Sequence, residues 1–114
     1  MKLNAIIENL GLKILEGGGD MDRNVTGAYT SDLLSDVIAN SGENQLWITL
    51  QTHQNTLAVA KLKDLAGIII VNNREPEDDT RQKARDEGVA LLQTSDSAYI
   101  ISGKLYQTLA SEKG

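Results

Sequence analysis

The chain has 114 residues, no cysteine, and 11 basic against 16 acidic side chains, which gives a net charge of −5. Without cysteine there is no disulfide framework and no thiolate nucleophile, and the single histidine argues against a multi-histidine metal site. The acidic balance argues against general nucleic-acid binding, and no apolar run is long enough to cross a membrane. Because the first residues do not resemble a secretory signal, we expect a cytoplasmic protein. The length fits one domain over residues 1–114, for which we expect no metal and no cofactor.

The first predicted element in chain order is a short amphipathic helix over residues 3–10, which Gly11 ends. Five apolar, β-rich runs then follow along the chain, at residues 12–15, 25–29, 46–50, 67–71 and 89–92. The polar, Gly-rich stretch 17–24 is a loop between the first two strands. Helical segments of about ten residues lie between the later strands, and this length suits the crossovers that parallel strands require.

Capping residues locate each later helix. The polar residues 30–32 cap a helix that Gly42 stops, and the next helix begins at residue 55 or 56 and ends at Gly67. Pro76 stands where the first residue of a third helix belongs. The last helix spans about residues 97–110.

The fourth strand indicates how the elements are layered. Ile68, Ile69, Ile70 and Val71 are apolar at consecutive positions, so both faces of this strand are expected to be covered by helices. The fold class that follows is α/β, a layered sandwich with a mostly parallel sheet of about five strands flanked by helices and joined by right-handed connections.

Polar clusters follow four of the predicted strands, and in a parallel sheet all four meet at the carboxyl edge. Open α/β sheets bind ligands at this edge, and helix N-termini there favour an anion or a phosphate. A second interpretation is that these residues only cap helices. The candidate ligand-binding residues at this edge are Thr30, Ser31, His53, Asn55, Asn72, Thr94 and Ser95.

No catalytic residues are predicted. His53 is the only imidazole and could serve as a general base, but no nucleophile can be paired with it, and a hydrogen-bonded loop histidine is the alternative. The segment Ser102-Gly103-Lys104 resembles the end of a phosphate-binding loop. It lacks the first glycine and the hydroxyl residue after Lys104, so it is not one.

Four segments in order resemble the DRTGG domain, a bacterial and archaeal module of about this length. They are Asp22-Arg23-Asn24-Val25-Thr26-Gly27, Ser31-Asp32-Leu33-Leu34, Ala66-Gly67-Ile68-Ile69-Ile70-Val71-Asn72 and Gly88-Val89-Ala90-Leu91-Leu92-Gln93-Thr94. The similarity runs from about residue 3 to residue 109, although Ala28 after Gly27 breaks the literal DRTGG string.

The resemblance implies a regulatory or scaffolding domain without catalytic residues. DRTGG domains accompany paired CBS nucleotide-sensing domains and phosphotransacetylase-type enzymes, and are similar to the non-catalytic N-terminal domain of HPr kinase/phosphorylase. Within the matching motif, Arg23 either binds an anionic ligand or forms a salt bridge that orders the Gly-rich loop. The leading hypothesis is a ligand-sensing module, and the alternatives are an interaction subunit of a larger enzyme complex or a small enzyme using His53.

A homodimer is predicted, both from the resemblance and from the last helix. Tyr99 and Tyr106 are seven residues apart and share a face distinct from the Ile101–Leu105 stripe, with Ile100 nearby. Tyrosine suits interfaces because its ring buries area while its hydroxyl keeps a polar partner. The alternative is that both tyrosines only cover the edge of the core.

Overall fold

The computed structural model describes residues 1–113 and consists of five strands and five helices. The strands are β1 (Lys13–Gly17), β2 (Gly27–Thr30), β3 (Gln45–Thr49), β4 (Gly67–Ile70) and β5 (Ala90–Gln93). The helices are α1 (Leu3–Leu10), α2 (Leu34–Asn40), α3 (Asn55–Leu62), α4 (Asp78–Glu87) and α5 (Ala98–Lys113). The strand order is β1-β5-β4-β3-β2. All pairs from β2 to β5 are parallel and only β1 is antiparallel, so the predicted mostly parallel α/β fold is confirmed.

The helices cover the two faces of the sheet unequally. On one face, Leu3 and Ile6 of α1 and Ile101 of α5 pack against alternate strand residues such as Ile48 and Ile69. On the other face, α2, α3 and α4 pack through Val37, Leu57 and Ala84 against Trp47 and Ile68. This placement follows from the chain order, because three successive right-handed crossovers that advance in one direction leave their helices on the same face.

Helix ends account for most of the differences from the predicted boundaries. Leu33, which comes directly after the predicted capping residues 30–32, is not yet helical: it precedes α2 in an extended conformation and is exposed. Helix α3 ends at Leu62 rather than at Gly67, because Asp64 takes the left-handed turn with φ 51°. Pro76 is buried but lies before α4, which begins at Asp78 after the N-cap residue Glu77.

The β1 edge of the sheet is protected by a bulge and by ion pairs. The register of β1 shifts between Ile14 and Glu16, and the bulged residue Leu15 accepts a hydrogen bond from Arg81 Nη2 at 3.0 Å. The largely shielded Glu16 carboxylate pairs with Arg85 at 2.7 Å. Hydrogen bonding from Arg85 therefore lowers the pKa of Glu16. A bulge and charged side chains are common ways to keep an edge strand from pairing with another chain.

No helix among residues 1–113 is long and apolar enough to cross a membrane.

Candidate functional site

Polar loops at the carboxyl edge are joined to one another by hydrogen bonds. After β4 and β5, the N–H of Asn72 donates to the Asp96 carbonyl at 2.9 Å, and the N–H of Asn73 donates to the Thr94 carbonyl at 2.8 Å. Asn72 and Asn73 both adopt positive φ angles, 57° and 56°, which asparagine tolerates better than most residues. The Thr94 hydroxyl accepts the N–H of Asp96 at 3.1 Å, while Ser95 is exposed in the same loop.

The β2 and β3 ends of this edge are organised by Asp32 and Ser31. Asp32 Oδ1 accepts hydrogen bonds from the Thr49 hydroxyl at 3.0 Å and from the Leu50 N–H at 2.7 Å. The Ser31 carbonyl accepts a bond from the indole N–H of Trp47 at 2.8 Å, and its hydroxyl accepts the N–H of Leu33. These hydrogen bonds hold the loops after β2 and β3 together, so the polar atoms in this part of the edge have a structural role.

His53 acts as a cap at the start of α3. Its Nδ1 accepts the backbone N–H of Asn55 at 3.1 Å, and its carbonyl accepts the N–H of Thr56. The lone pair on Nδ1 is therefore engaged, and the ring is exposed beside the helix that Asn55 begins. This geometry matches the alternative of a hydrogen-bonded loop histidine.

The topology explains why these loops form a line rather than a crevice. In doubly wound sheets the ligand crevice opens where the strand order reverses. Here β2, β3, β4 and β5 follow one another across the sheet without a reversal. With strands about 4.8 Å apart, Thr30 and Thr94 stand three strand spacings, or about 14 Å, from each other. A small ligand at this edge could therefore reach the loops of two neighbouring strands, but not all four.

Arg23 is not brought to the carboxyl edge. Its guanidinium binds Asn44 Oδ1 and donates to the Asp64 carbonyl at 2.8 Å, with an ion pair to the Asp64 carboxylate at 3.2 Å. Asn44 precedes β3 and Asp64 precedes β4, so Arg23 lies at the amino edge of the sheet. Both partners adopt positive φ angles, and Arg23 fixes these two left-handed turns together with the Gly-rich loop.

A groove about 830 Å³ in volume lies between β2 and α5. We call this surface the β2–α5 groove. Its β2 wall includes Gly27 and Ala28, and its α5 wall includes the predicted interface residues Tyr99, Ile100 and Tyr106. Tyr99 is 85% exposed and Tyr106 is 77% exposed, so they do not merely cover the edge of the core.

Only one of the predicted ligand residues lines the β2–α5 groove. Thr30 ends β2, and its hydroxyl lies 2.7 Å from the hydroxyl of Ser102 on α5. Gly27, Ala28 and Gly103 also line the groove and were not predicted from the sequence. Gly103 could have been noticed in the sequence, because glycine is unfavourable in the middle of a helix and a glycine at such a position usually has a structural or functional reason.

The chemical character of the groove is apolar with hydroxyl groups. None of the described residues that line it carries a charge. Across residues 1–113 there is also no group of three or more His, Cys, Asp or Glu side chains able to hold a metal ion. The groove is therefore suited to hold apolar or aromatic groups.

Comparison with known proteins gives a structural match. No family model and no curated protein sequence matches the chain. Five chains of solved structures match it. One is the CBS and DRTGG domains of the regulatory region of Clostridium perfringens pyrophosphatase, complexed with the activator diadenosine tetraphosphate, with a TM-score of 0.66 at 10% identity. The match covers 91% of this chain and 45% of that chain, so this chain spans less than half of the pyrophosphatase fragment. The structure thus supports the resemblance expected from the sequence: the fold is that of a DRTGG-like domain.

Proposed function

We propose that the chain is a non-catalytic regulatory module of the cytoplasm that forms a homodimer and senses a small anionic, nucleotide-like ligand. The observation that carries the homodimer in this proposal is the β2–α5 groove, an uncharged surface with two strongly exposed tyrosines. The described residues that line the groove carry no charge, and exposed aromatic side chains are enriched where proteins meet.

The homodimer is supported by the apolar character of α5. Tyr99, Ile100 and Tyr106 together expose aromatic and aliphatic surface on a helix whose opposite side, with Ile101 and Leu105, is fully buried. Side chains of this kind lose contact with water only if a partner covers them. Sedimentation equilibrium at micromolar concentration should show a dimer for the wild type and a monomer for the double variant Tyr99→Glu, Tyr106→Glu. A wild-type monomer across that range would remove the homodimer from the proposal.

The proposed ligand site is at the carboxyl edge, between the loops that follow β4 and β5. Asn72 and Ser95 are exposed there, Thr94 lies beneath them, and α5 begins just beyond at Ala98. Arg74 follows Asn73 in the same loop and is exposed, which provides a cation for a phosphate. The similar pyrophosphatase regulatory region was solved with diadenosine tetraphosphate, which supports a polyphosphate nucleotide as the ligand class.

Thermal denaturation in the presence of candidate ligands tests this site. A ligand that binds only the folded chain raises the melting temperature by mass action, by an amount corresponding to about 2.7 kcal/mol at a hundredfold excess over Kd. AMP, ATP and diadenosine tetraphosphate should be compared with inorganic phosphate at the same ionic strength. The variant Ser95→Glu should abolish the shift through charge repulsion, whereas Ser111→Glu, on the exposed far end of α5, should retain it.

Two outcomes would favour other functions. If no nucleotide changes the melting temperature but the dimer forms, the alternative of an interaction subunit without a ligand is the better description. If the chain hydrolyses a nucleotide and His53→Ala abolishes this, the module is an enzyme. The engaged Nδ1 of His53 weighs against that second outcome.

A further inference from the structure

The two edge strands of the sheet differ in how they are protected from pairing with another strand. The β1 edge has a bulge, the Arg81 contact to Leu15 and the Arg85–Glu16 ion pair. The β2 edge has none of these devices, since Gly27-Ala28-Tyr29-Thr30 contains no charge and no proline and pairs with β3 in unbroken register. An unprotected edge strand presents unpaired backbone N–H and C=O groups and is a template for another strand.

The helix beside this edge alternates large and small residues. Tyr99, Gly103, Tyr106 and Ala110 stand at spacings of four, three and four along α5, so they share one face of the helix. All four line the β2–α5 groove. A face of this kind offers tyrosine rings as projections, with the glycine and alanine positions as recesses between them.

Neither glycine of the groove is required by the packing of its own chain. A Cβ built on Gly103 would meet nothing within 4 Å, and a Cβ on Gly27 would meet only Gln45 Nε2 at 3.7 Å. Neither residue has a positive φ angle. Because glycine is unfavourable inside a helix or a strand, two glycines facing one open groove indicate close approach by something outside the chain.

We infer that the β2–α5 groove is a two-fold interface in which β2 pairs antiparallel with β2 of a second copy and the two α5 helices pack side by side. The inference rests on the proposed homodimer and specifies its geometry. A two-fold axis perpendicular to the sheet makes the two β2 strands antiparallel and keeps both α5 helices on the same face. The tyrosines of each copy then enter the groove of the other beside Gly27 and Gly103.

Charge and area both favour a second copy as the occupant. Each chain carries a net charge of −5, and the described residues lining the groove include no charged side chain, so contact through the groove places no like charges directly against each other. Aromatic residues bury about 150–250 Å² each. Four tyrosines and the groove walls that they cover would remove roughly 1,200–2,000 Å² from water, which is the size of a standard stable interface.

The decisive variant is Gly103→Leu. Leucine favours the helix more than glycine does and has open space around it, so the monomer should remain folded while the recess that receives the partner is filled. In sedimentation equilibrium, Gly103→Leu should weaken dimerisation by at least about 30-fold, as expected for loss of an interface hot spot. The matched control is Ser111→Leu, at an exposed position of the same helix outside the groove. This variant should leave the dissociation constant of the dimer unchanged.

Hydrogen exchange tests the strand pairing independently. Amide groups of β2 should exchange at least about tenfold more slowly at protein concentrations above the dissociation constant of the dimer than at concentrations below it. The reason is that antiparallel pairing engages the outer edge of β2 in hydrogen bonds. A wild-type chain that stays monomeric at micromolar concentration would refute the homodimer itself. A dimer unaffected by Gly103→Leu would refute this interface while the homodimer stands. A dimer sensitive to Gly103→Leu whose β2 amides gain no protection would refute the strand pairing.

Discussion

The substitution of glycine by alanine should have opposite effects at two positions of this fold. A Cβ at Gly67 in the central strand β4 would lie 3.0 Å from the carbonyl oxygen and 3.2 Å from the Cβ of Ala90. Overpacking of this kind costs typically about 1–3 kcal/mol, and reduced entropy of the unfolded chain offsets up to about 1 kcal/mol of it. Gly67→Ala should therefore lower the free energy of unfolding by about 1–2 kcal/mol.

Gly103 provides the matched comparison. A Cβ there meets nothing within 4 Å, and alanine is more favourable than glycine inside a helix by about 0.5–1 kcal/mol. Gly103→Ala should therefore raise the free energy of unfolding by that amount, so that the two variants differ by about 1.5–3 kcal/mol.

Urea denaturation followed by the fluorescence of Trp47 measures this difference directly. Trp47 is the single tryptophan of the chain and is fully buried, so its emission reports the loss of the core. Submicromolar protein keeps association from contributing to the midpoint. A Gly67→Ala variant as stable as the wild type would show that β4 and β5 are not packed as described. A Gly103→Ala variant less stable than the wild type would show that Gly103 has a role within its own chain.

Three further predictions concern the core, the protected edge and the amino edge. Ile69→Ala should lower the free energy of unfolding by about 2–5 kcal/mol, since Ile69 is fully buried in β4; a loss in urea denaturation below about 1 kcal/mol would contradict the central position of this strand. Glu16 has a lowered pKa, so its stabilisation is present above the ordinary value of 4.5 and is lost as the pH falls through the lowered value. Glu16→Gln should therefore flatten the pH dependence of the denaturation midpoint below pH 4.5, and an unchanged slope would refute the role of the Arg85 pair. Arg23→Ala should cost about 1–3 kcal/mol through lost hydrogen bonds to Asn44 and Asp64, with any nucleotide-induced shift in melting temperature retained, and loss of that shift would place Arg23 in the ligand site.

Most of the fold was predictable because its local signals agree with one another. The run Ile68-Ile69-Ile70 predicted a strand covered on both faces, and all three side chains are fully buried. Helix α1 follows from Leu3, Ile6 and Ile7 on one face and from Gly11, whose φ of 61° ends the helix. The direction of β1 was less evident. Its neighbour in the sheet is β5, which lies at the other end of the chain, so no short connection in the sequence indicates how the two strands are oriented.

The candidate site was less predictable because the relevant signals are not local. For Arg23 the sequence left two roles open, a ligand contact or a salt bridge, and the choice depends on Asn44 and Asp64, which are far from Arg23 along the chain. The expected crevice depends on a reversal of strand order, which no single segment encodes. Tyr99 and Tyr106 were identified from helical spacing, but Gly27 of the opposite wall comes from a strand some 70 residues earlier.

The position of β1 has a consequence for how the chain folds during synthesis. Lys13 pairs with Gln93, about 80 residues later, while each of the other strands pairs with a neighbour in sequence. At translation rates of about 5–20 residues per second, the ribosome needs roughly 4–16 s to add the residues between β1 and its partner. During that interval Leu15 and the bulged strand have no sheet to join, while β2, β3 and β4 can already associate. The first strand to be made is therefore the last to enter the sheet, and variants that weaken its docking should slow the final step of folding rather than the assembly of the parallel strands.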